Sequence, residues 1–478
     1  MTEGRMRKSI KEISPIDVYR LLPRTNCKEC GEANCMAFAT RLVNGEFTLA
    51  DCPPLTTAEY SRLLTDLGDL LRPPVRAVTI GSVQHTVTIG GKYVLYRHDF
   101  TYHNPTAIAI DVADTLGAEE IEKRVKAIRS FSYVYIGRTL SLDAIAVRCA
   151  SGDPATFATA VTTVAACTDL PLILCSQDPA VQKTALDVVH DRRPLLYAAT
   201  AQNWEKMAEL ALRFSCPLVV SAPGDAGMLR SLARTLGEYG VDDLVLDPGT
   251  STEGGLARTL MGFTALRHAA CTSHDELCGY PLLGTPITAW AGAELSPDLV
   301  QWNEAVTAAM LISRYADLLI MHSMEGWALL PQLIWRFNLY TDPRKPVSVD
   351  AGVRTFGTPD KESPLLITTN YALTYFTVES DIKAARIDCY LIVADTAGIS
   401  VESAVAGRYL TAETITASLK EYRAEDLVRH RHVIIPGLAA RLSGDTEEAS
   451  GWHVLVGPKD SSALGQFIRD HWPPKPEE

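Results

Sequence analysis

The feature that most constrains the fold is a regular alternation of short apolar segments with helical segments between residues 105 and 350. Short apolar runs separated by helical patterns are typical of buried parallel strands in α/β proteins. Eight of them predict a parallel eight-stranded (β/α)8 TIM-like barrel, with an open parallel sheet as the alternative. The predicted strands are Ala107–Val112, Ala144–Val147, Pro171–Cys175, Leu195–Ala198, Pro217–Val220, Leu244–Leu246, Ile287–Trp290 and Leu318–His322.

A second α/β pattern occupies residues 355–478. Four strands, each followed by a helix, predict a small doubly wound sheet of the Rossmann/flavodoxin-like kind; they are Leu365–Thr368, Asp388–Ala394, Val433–Ile435 and Val454–Val456. Such sheets bind ligands beyond the carboxyl ends of their strands. The residues that follow these strands are rich in glycine and small hydroxyl side chains, so a large flat ligand could approach the backbone there.

Residues 1–60 contain four cysteines, Cys27, Cys30, Cys35 and Cys52, with the spacing C-x2-C-x4-C-x16-C. Cysteine thiolates bind zinc or iron–sulfur clusters. The uneven spacing and the single x2 pair favour a cluster, and zinc is the alternative. Because this segment is too small to bury a core of its own, a metal centre is expected to hold it together.

Residues 61–104 are interpreted as a linker with a hairpin. Arg72-Pro73-Pro74 interrupts the chain, and Val78–Ile80 with Val83–Ile89 predict two short paired strands. The expected organisation is therefore a cluster domain (1–60), this linker (61–104), the barrel (105–350) and the doubly wound domain (355–478).

The charge balance limits the partners. The chain has 45 Lys and Arg against 57 Asp and Glu, a net charge of −12, and an acidic surface argues against nucleic acid as a partner. No uninterrupted apolar stretch reaches about 18 residues, so no membrane span is expected. The charged N-terminal residues do not resemble a signal peptide. A cytoplasmic protein is the resulting hypothesis, with the other seven cysteines as reduced core residues.

Other polar positions are weaker candidates. A loop with Cys271, His274 and Cys278 could hold a metal, but no fourth ligand is evident and an unrelated role is favoured. Several residues lie at predicted barrel strand ends, where barrel enzymes keep catalytic groups; they are Asp111, Asp247, Trp290, His322 and Glu325. Structural roles remain the simpler interpretation for each of them.

Five stretches in the same order along nearly the whole chain resemble one known family: residues 21–31, 341–346, 363–376, 397–401 and 434–437. They are similar to the large subunits of corrinoid iron–sulfur proteins, which include the gamma subunits of archaeal acetyl-CoA decarbonylase/synthase complexes. The resemblance implies an N-terminal 4Fe–4S domain, a central barrel and a C-terminal corrinoid-binding domain.

The resemblance also implies an activity, that of a methyltransferase component in the acetyl-CoA (Wood–Ljungdahl) pathway and in methanogenesis. A cobalamin-type corrinoid takes a methyl group from a methyl-tetrahydropterin (tetrahydrofolate or a tetrahydromethanopterin/sarcinapterin type) and passes it to the nickel cluster of acetyl-CoA synthase. The 4Fe–4S cluster returns oxidised cobalt to Co(I). The histidine motif D-x-H-x-x-G is absent from the sequence, which supports the base-off binding that the resemblance implies.

The site residues implied by the resemblance fall into two groups. Cys27, Cys30, Cys35 and Cys52 would hold one 4Fe–4S cluster. Ser403 would be the counterpart of a family threonine below the cobalt, and no side chain is expected to be catalytic because the chemistry occurs at cobalt. The expected corrinoid contacts are Thr368, Thr369, Thr374, Gly398, Ile399, Ser400, Val401, Ser403, Pro436, Gly437, Leu438 and Ala439.

The implied partners are a small, delta-type barrel subunit, the acetyl-CoA synthase/decarbonylase component and a methyltransferase. Two alternatives stay open. The chain could be an iron–sulfur reductive activator of a separate corrinoid protein, or a pterin-binding barrel methyltransferase with a zinc-stabilised N-terminus.

Overall fold

The computed structural model describes residues 10–82, 85–252, 254–291, 295–342 and 346–473. The chain forms two compact units, Met1–Tyr133 with Leu140–Thr341 and Val134–Thr139 with Asp342–Glu478. Val83 of the predicted hairpin and Pro343 to Lys345 of the 341–346 match lie outside the described residues.

The N-terminal part of the first unit contains three helices, α1 (Pro15–Arg20), α2 (Cys35–Val43) and α3 (Ser61–Leu71). Helix α1 begins with a capping box, in which the Ser14 and Asp17 side chains and backbone amides bond reciprocally. The apolar sides of all three helices meet in one buried cluster. Helix α3 was not predicted, and its fully buried Leu67 shows that the cysteine segment shares a core with the residues that follow it.

Next comes the antiparallel hairpin β1 (Ala77–Ser82) and β2 (His85–Gly90), as predicted. Its apolar residues pack against the interior of the barrel. The Gly81 N–H donates to the carbonyl of Arg193 at 3.1 Å, two residues before a barrel strand begins. The hairpin therefore covers the N-terminal ends of the barrel strands and leaves their carboxyl ends to form a site.

The strands from residue 107 onward confirm the α/β prediction of an eight-stranded parallel barrel, nearly closed. Neighbouring strands pair in parallel from β10 through β3 to β11, and a bridge between Leu246 and Leu282 joins the two ends. A short hairpin, β4 with β5, lies between the first two barrel strands in sequence. The bounds are β3 (Ala107–Ala113), β4 (Ser132–Tyr135), β5 (Arg138–Ser141), β6 (Ala144–Arg148), β7 (Leu172–Cys175), β8 (Leu195–Ala199), β9 (Leu218–Ser221), β10 (Leu244–Asp247), β11 (Leu283–Gly284) and β12 (Leu318–Met321).

The seventh barrel strand was predicted wrongly. Ile287–Trp290 belongs to a 3-10 helix, Pro286–Trp290, and the strand is Leu283–Gly284. Proline has no N–H to donate to a sheet, whereas its fixed φ suits the first turn of a helix. The true strand has only two residues, too few to produce a periodic pattern.

One helix follows each barrel strand and forms the outer layer, as a (β/α)8 barrel requires. None of the helices in the described part of the chain is long and apolar enough to cross a membrane. The bounds are α4 (Ala118–Ser130), α5 (Pro154–Cys167), α6 (Pro179–Val189), α7 (Trp204–Phe214), α8 (Ala226–Tyr239), α9 (Leu256–Cys271), α10 (Pro297–Ser313) and α11 (Gly326–Tyr340).

The second unit is built on a five-stranded sheet in the order β13-β15-β14-β16-β17. The four predicted strands are present and parallel, and an unpredicted edge strand, β13, runs antiparallel to β15. Strand β13 carries Arg354 and Thr355 and lacks an apolar run, which is why the sequence did not reveal it. The bounds are β13 (Gly352–Phe356), β14 (Leu365–Thr369), β15 (Cys389–Ala394), β16 (His432–Ile435) and β17 (His453–Val456).

Helices cover both faces of this sheet. Leu365 and Ile367 pack with Ile415 on one face, whereas Leu366 packs with Ile382 on the other. This alternation follows from the two-residue period of a strand. The helix bounds are α12 (Ala372–Ala385), α13 (Val401–Ala406), α14 (Ala412–Glu421), α15 (Ala424–Leu427), α16 (Ser443–Ser450) and α17 (Leu464–His471).

Candidate cofactor sites

The four predicted metal ligands lie together. Cys27, Cys30, Cys35 and Cys52 line one small pocket and are all free thiols. The first two lie in the loop before α2, Cys35 is the first residue of α2, and Cys52 lies between two short 3-10 turns. Cys52 lies 17 positions after Cys35 in the sequence, so the fold is what brings its thiol to the other three.

The cysteine loop is shaped by its own backbone and by asparagine side chains. Asn26, Lys28 and Gly31 have positive φ values of 50°, 65° and 84°. These left-handed residues make the chain turn tightly before, between and after the first two cysteines. The Asn26 Oδ1 accepts a hydrogen bond from the Cys35 N–H at 2.9 Å, and Asn34 caps α2 through the Ala37 N–H. Asparagine is among the residues that best tolerate a left-handed conformation and cap helices.

The thiols influence one another. Burial raises the pKa of Cys52, and the nearby Cys30, Cys35 and Cys27 raise it further because their thiolates would repel its own. A bound metal reverses this effect, since its positive charge stabilises thiolates. Four converging soft donors are the chemistry that an iron–sulfur cluster or zinc requires.

Sites for a single metal ion are not preformed in the described part of the chain. Within the described ranges, no group of three or more His, Cys, Asp or Glu side chains is arranged to hold a single metal ion. The same finding applies to Cys271, His274 and Cys278. Four thiols that share one pocket remain a suitable donor set for either metal, a cluster or zinc.

A second candidate site is a cleft of about 410 Å³ in the second unit. It lies at the carboxyl ends of β14, β16 and β17, beside the first turns of α12 and α13. Its volume lies within the range of about 300–1,000 Å³ that small-molecule sites occupy. Because a corrinoid is much larger than a typical ligand of such a site, the cleft could enclose only part of it.

Half of the predicted corrinoid residues line this cleft, namely Thr368, Thr374, Ser400, Val401, Pro436 and Leu438. The others lie elsewhere: Thr369, Gly398, Gly437 and Ala439 are buried beside it, Ile399 is half-buried, and Ser403 is exposed on α13. Sequence analysis did not select Glu402, Lys459 and Asp460, which also line the cleft. The sequence signal that could have identified them is their position. Lys459 and Asp460 follow a predicted strand, and Glu402 lies at the start of a helix.

Asn370, at the end of β14, fixes the loop that leads to α13. Its Oδ1 accepts hydrogen bonds from the N–H and hydroxyl of Thr396, both at 3.0 Å, and from the Gly398 N–H at 2.9 Å. Its Nδ2 donates to Asp395 at 3.0 Å. Gly398 has a φ of 73°, and a Cβ there would lie 3.1 Å from the Cβ atoms of Pro346 and Ser348. The loop is thus held in one conformation from two sides.

A buried hydroxyl faces the cleft without a partner. Thr368 is 2% exposed, and its Oγ1 makes no hydrogen bond to any residue that the structure describes. An unsatisfied buried hydroxyl destabilises a protein, so a ligand that bonds to it gains affinity. Amide side chains, which surround a corrin ring, could make such a bond.

The histidines of this unit lie away from the cleft. His432 and His453 are the first residues of β16 and β17, and His430 precedes β16, so they lie at the edge opposite to the strands' carboxyl ends. Among the described residues that line the cleft, none is a histidine. A ligand in this cleft would be bound without an imidazole from these lining residues.

The barrel mouth carries a ring of polar side chains. Because strand residues alternate in direction and Ala109, Ile173 and Val245 face the interior, the residues two positions later also face it. This inward ring at the carboxyl ends consists of Asp111, Arg148, Cys175, Tyr197, Ser221, Asp247 and His322. The predicted strand-end residues Asp111, Asp247 and His322 thus belong to one ring.

The two aspartates of the ring differ in their surroundings. Asp111 accepts from Arg124 at 3.1 Å and Arg148 at 3.0 Å and lies 2.5 Å from His322 Nδ1. Although burial opposes it, these partners lower the pKa of Asp111. Asp247 accepts from Tyr197 at 2.9 Å and Ser221 at 3.0 Å, and burial raises its pKa although these neutral donors oppose the shift.

Comparison with known proteins places both units in one family. A family model described as "CO dehydrogenase/acetyl-CoA synthase delta subunit" matches residues 77–468, and one described as "Putative Fe-S cluster" matches residues 22–54, which include the four cysteines. The acetyl-CoA decarbonylase/synthase complex subunit gamma of Methanosarcina acetivorans is 45% identical over 97% of this chain and 99% of its own. That of Methanothermobacter thermautotrophicus is 44% identical over 96% and 98%.

Among solved structures, dihydropteroate synthase from Thermus thermophilus in complex with 4-aminobenzoate is similar to this chain. The sequence identity is 16% and the TM-score 0.36, over 55% of this chain and 99% of that one.

Proposed function

Because this chain belongs to the family of acetyl-CoA decarbonylase/synthase complex gamma subunits, we propose that it carries methyl groups in the acetyl-CoA (Wood–Ljungdahl) pathway as a corrinoid iron–sulfur large subunit. When bound, the corrinoid supplies a cobalt that receives a methyl group from a methyl-tetrahydropterin and delivers it to the nickel site of acetyl-CoA synthase, and a 4Fe–4S cluster supplies the electron that restores oxidised cobalt. Two separate sites in one chain, a four-thiol pocket and a strand-end cleft, carry the proposal.

The four cysteines hold the cluster. Cys27 and Cys30 are oriented by the left-handed turns of their loop, and Cys35 is fixed by α2 and the Asn26 side chain. Cys52 closes the set from the buried side. Since thiolates bind iron, cluster assembly displaces four thiol protons.

The cleft of the second unit holds part of the corrinoid. Asn370 keeps the loop before α13 in place, so that Ser400 and Val401 line the cleft that receives the ligand. The Thr368 hydroxyl bonds to a polar group of the corrinoid, which satisfies it. Leu373 and Leu438 are half-exposed at the cleft, and they supply apolar surface for the ring.

The segments 1–60, 105–350 and 355–478 act as cluster domain, barrel and a doubly wound, Rossmann/flavodoxin-like corrinoid domain, and 61–104 connects the first two, with α3 packed on the cysteine segment and the hairpin on the barrel. The corrinoid is bound base-off, and the protein acts in the cytoplasm. Its partners are a delta-type subunit, the acetyl-CoA synthase component and a methyltransferase.

Anaerobic reconstitution tests the proposal. We expect about four iron atoms and one cobalt per chain after loading with iron, sulfide and a base-off corrinoid, with the spectrum of a reducible low-potential cluster. Absence of cobalt after reconstitution would refute the carrier function. Zinc in place of iron would refute the cluster.

The polar ring of the barrel mouth favours a second candidate, a pterin-binding barrel methyltransferase. Asp247, Ser221 and Tyr197 place hydrogen-bonding groups where barrel enzymes bind substrates. In that case, methyl-tetrahydropterin would bind to the chain alone and Asp247→Asn would weaken this binding, whereas corrinoid loading would fail.

A further inference from the structure

A group of charged side chains is buried at the N-terminal ends of the barrel strands. Lys92 follows the hairpin, Arg267 lies on α9, and Asp317 immediately precedes β12. Their exposed fractions are only 2%, 1% and 0%. The Lys92 Nζ lies 2.8 Å from the Asp317 Oδ1, and the Arg267 Nη2 donates to the Asp317 Oδ2. We call these three residues the buried charge cluster.

The charges of the buried charge cluster do not balance. Two cations face one carboxylate, and among the described residues Asp317 is the only acidic side chain that forms an ion pair with either cation. Although burial opposes each charge, Asp317 raises the pKa values of Lys92 and Arg267, and the two cations lower the pKa of Asp317. All three side chains are therefore ionised, and one positive charge lacks a counter-ion. Burying an unpaired charge strongly destabilises a protein.

Arg267 also has hydrogen-bond donors without acceptors. Its Nη2 donates to Asp317 and, at 3.0 Å, to the Tyr315 carbonyl. Its Nε and Nη1 make no hydrogen bond to any residue that the structure describes. Arginine stays protonated in proteins, so deprotonation cannot remove these N–H groups. Buried donors are nearly always satisfied by protein, water or an ion. The missing acceptor and the missing negative charge therefore concern the same side chain.

The neighbouring thiol and phenols do not supply the missing negative charge. Cys271 lies one helical turn beyond Arg267 on α9, and burial raises the pKa of its thiol although both cations oppose this shift. Burial likewise raises the pKa values of Tyr102 and Tyr315. These three groups therefore stay protonated and neutral. A water molecule would accept hydrogen bonds from Arg267, but it would leave the positive charge uncompensated.

We propose that the buried charge cluster binds one small monovalent anion from solution, of the size of chloride, in contact with the Arg267 guanidinium. One missing charge selects a monovalent anion, because a phosphate or sulfate dianion would leave an excess negative charge in the interior. Lys92 donates to the Tyr340 hydroxyl at 2.7 Å, and Tyr340 packs with Tyr102 in the buried cluster that also contains residues of α1, α2 and α3. The anion therefore stabilises the connection between the cysteine segment and the barrel, apart from both cofactor sites.

Crystallography with bromide tests this assignment on the full-length chain and needs no substitution. Bromide has the charge and nearly the size of chloride, and its anomalous scattering identifies it. Crystals grown in sodium bromide should show an anomalous difference peak next to Nε or Nη1 of Arg267. Density at this position without an anomalous signal would identify a water molecule and overturn the inference, as would a map with no density there.

Thermal unfolding in sodium chloride and in sodium gluconate at equal ionic strength provides a second measurement, since gluconate is too large for a buried site. Chloride should raise the melting temperature of the unsubstituted chain, because a ligand that binds only the folded state stabilises it. Arg267→Met leaves Lys92 paired with Asp317 and should abolish this chloride response. The matched control, Arg258→Met, changes an exposed arginine of the same helix and should retain it. Equal melting temperatures of the unsubstituted chain in the two salts, or a chloride response that persists in Arg267→Met, would overturn the inference.

Discussion

Asn370 is the single side chain on which the cleft loop depends most. Its carboxamide accepts three hydrogen bonds from Thr396 and Gly398 and donates one to Asp395. Asn370 follows the predicted strand Leu365–Thr368 by two positions, but its partners lie 25 to 28 positions further along. Only the fold brings them together, so the role of this residue could not be predicted.

Asn370→Ala should reduce corrinoid affinity by about tenfold or more. Each lost hydrogen bond contributes about 1 kcal/mol to the ordered loop, and the freed loop must be ordered again on binding. The measurement is cobalt retained per chain after gel filtration of the reconstituted protein. Asn203→Ala removes a similar loop anchor from the barrel and should retain its cobalt; equal cobalt loss in both variants would contradict the assigned role.

Gly398→Ala should lower corrinoid binding through backbone strain and crowding. A left-handed alanine costs about 1–2 kcal/mol, and its Cβ would also press on Pro346 and Ser348 at 3.1 Å. Gly451→Ala is the matched control, because Gly451 has a φ of 72° and open space around its Cβ. Thermal unfolding should show a loss of stability in both variants, and a corrinoid titration should show weaker binding for Gly398→Ala alone. Unaltered corrinoid binding by Gly398→Ala would argue against this loop as part of the site.

At the scale of elements, the sequence predicted the strands that carry long apolar runs and missed those that do not. Seven of the eight barrel strands, the hairpin and the four parallel strands of the second unit were located correctly. The two-residue strand β11 and the edge strand β13 have too little apolar surface to produce a pattern. Helix α3 does carry helical periodicity, with Leu63, Leu64, Leu67, Leu70 and Leu71 on one side, and it was missed because residues 61–104 were interpreted as a linker.

The polar ring at the carboxyl ends of the barrel strands gives an element-scale prediction about pH. Burial raises the pKa of Asp247, so ionising it costs the folded state free energy. The stability that this carboxyl provides is complete below the ordinary pKa of aspartate and is lost as the pH rises through its raised pKa. The loss amounts to about 1.4 kcal/mol per pH unit within that window.

Asp247→Asn should remove this pH dependence, because asparagine stays neutral. We expect the melting temperature of the variant to rise relative to the unsubstituted chain as the pH increases from about 4 to 8. Calorimetry across that range provides the measurement. A constant difference between the two proteins would show that Asp247 is ionised throughout.

At the scale of the whole molecule, the cysteine motif and the family resemblance identified the four thiols of the pocket more accurately than the residues that line the cleft. The four cysteines were identified from their spacing and share one pocket. Only half of the twelve proposed corrinoid residues line the cleft, because strand ends are predictable whereas the direction of each loop side chain depends on packing. Ser403 illustrates this limit: it lies one helical turn beyond Ser400 and points to solvent.

The central claim is that the cluster serves the cobalt without taking part in each methyl transfer. The direct measurement compares Cys30→Ala with the unsubstituted protein, both loaded with corrinoid. The first assay follows anaerobic reduction of the cobalt by a low-potential electron-transfer protein. The second follows methyl transfer after chemical reduction. We predict that the variant retains cobalt, fails to have its Co(II) reduced by the protein donor, and transfers methyl groups normally once reduced chemically, whereas Cys167→Ala behaves like the unsubstituted protein. Equal loss of protein-driven reduction and of chemically primed methyl transfer in Cys30→Ala would contradict the account.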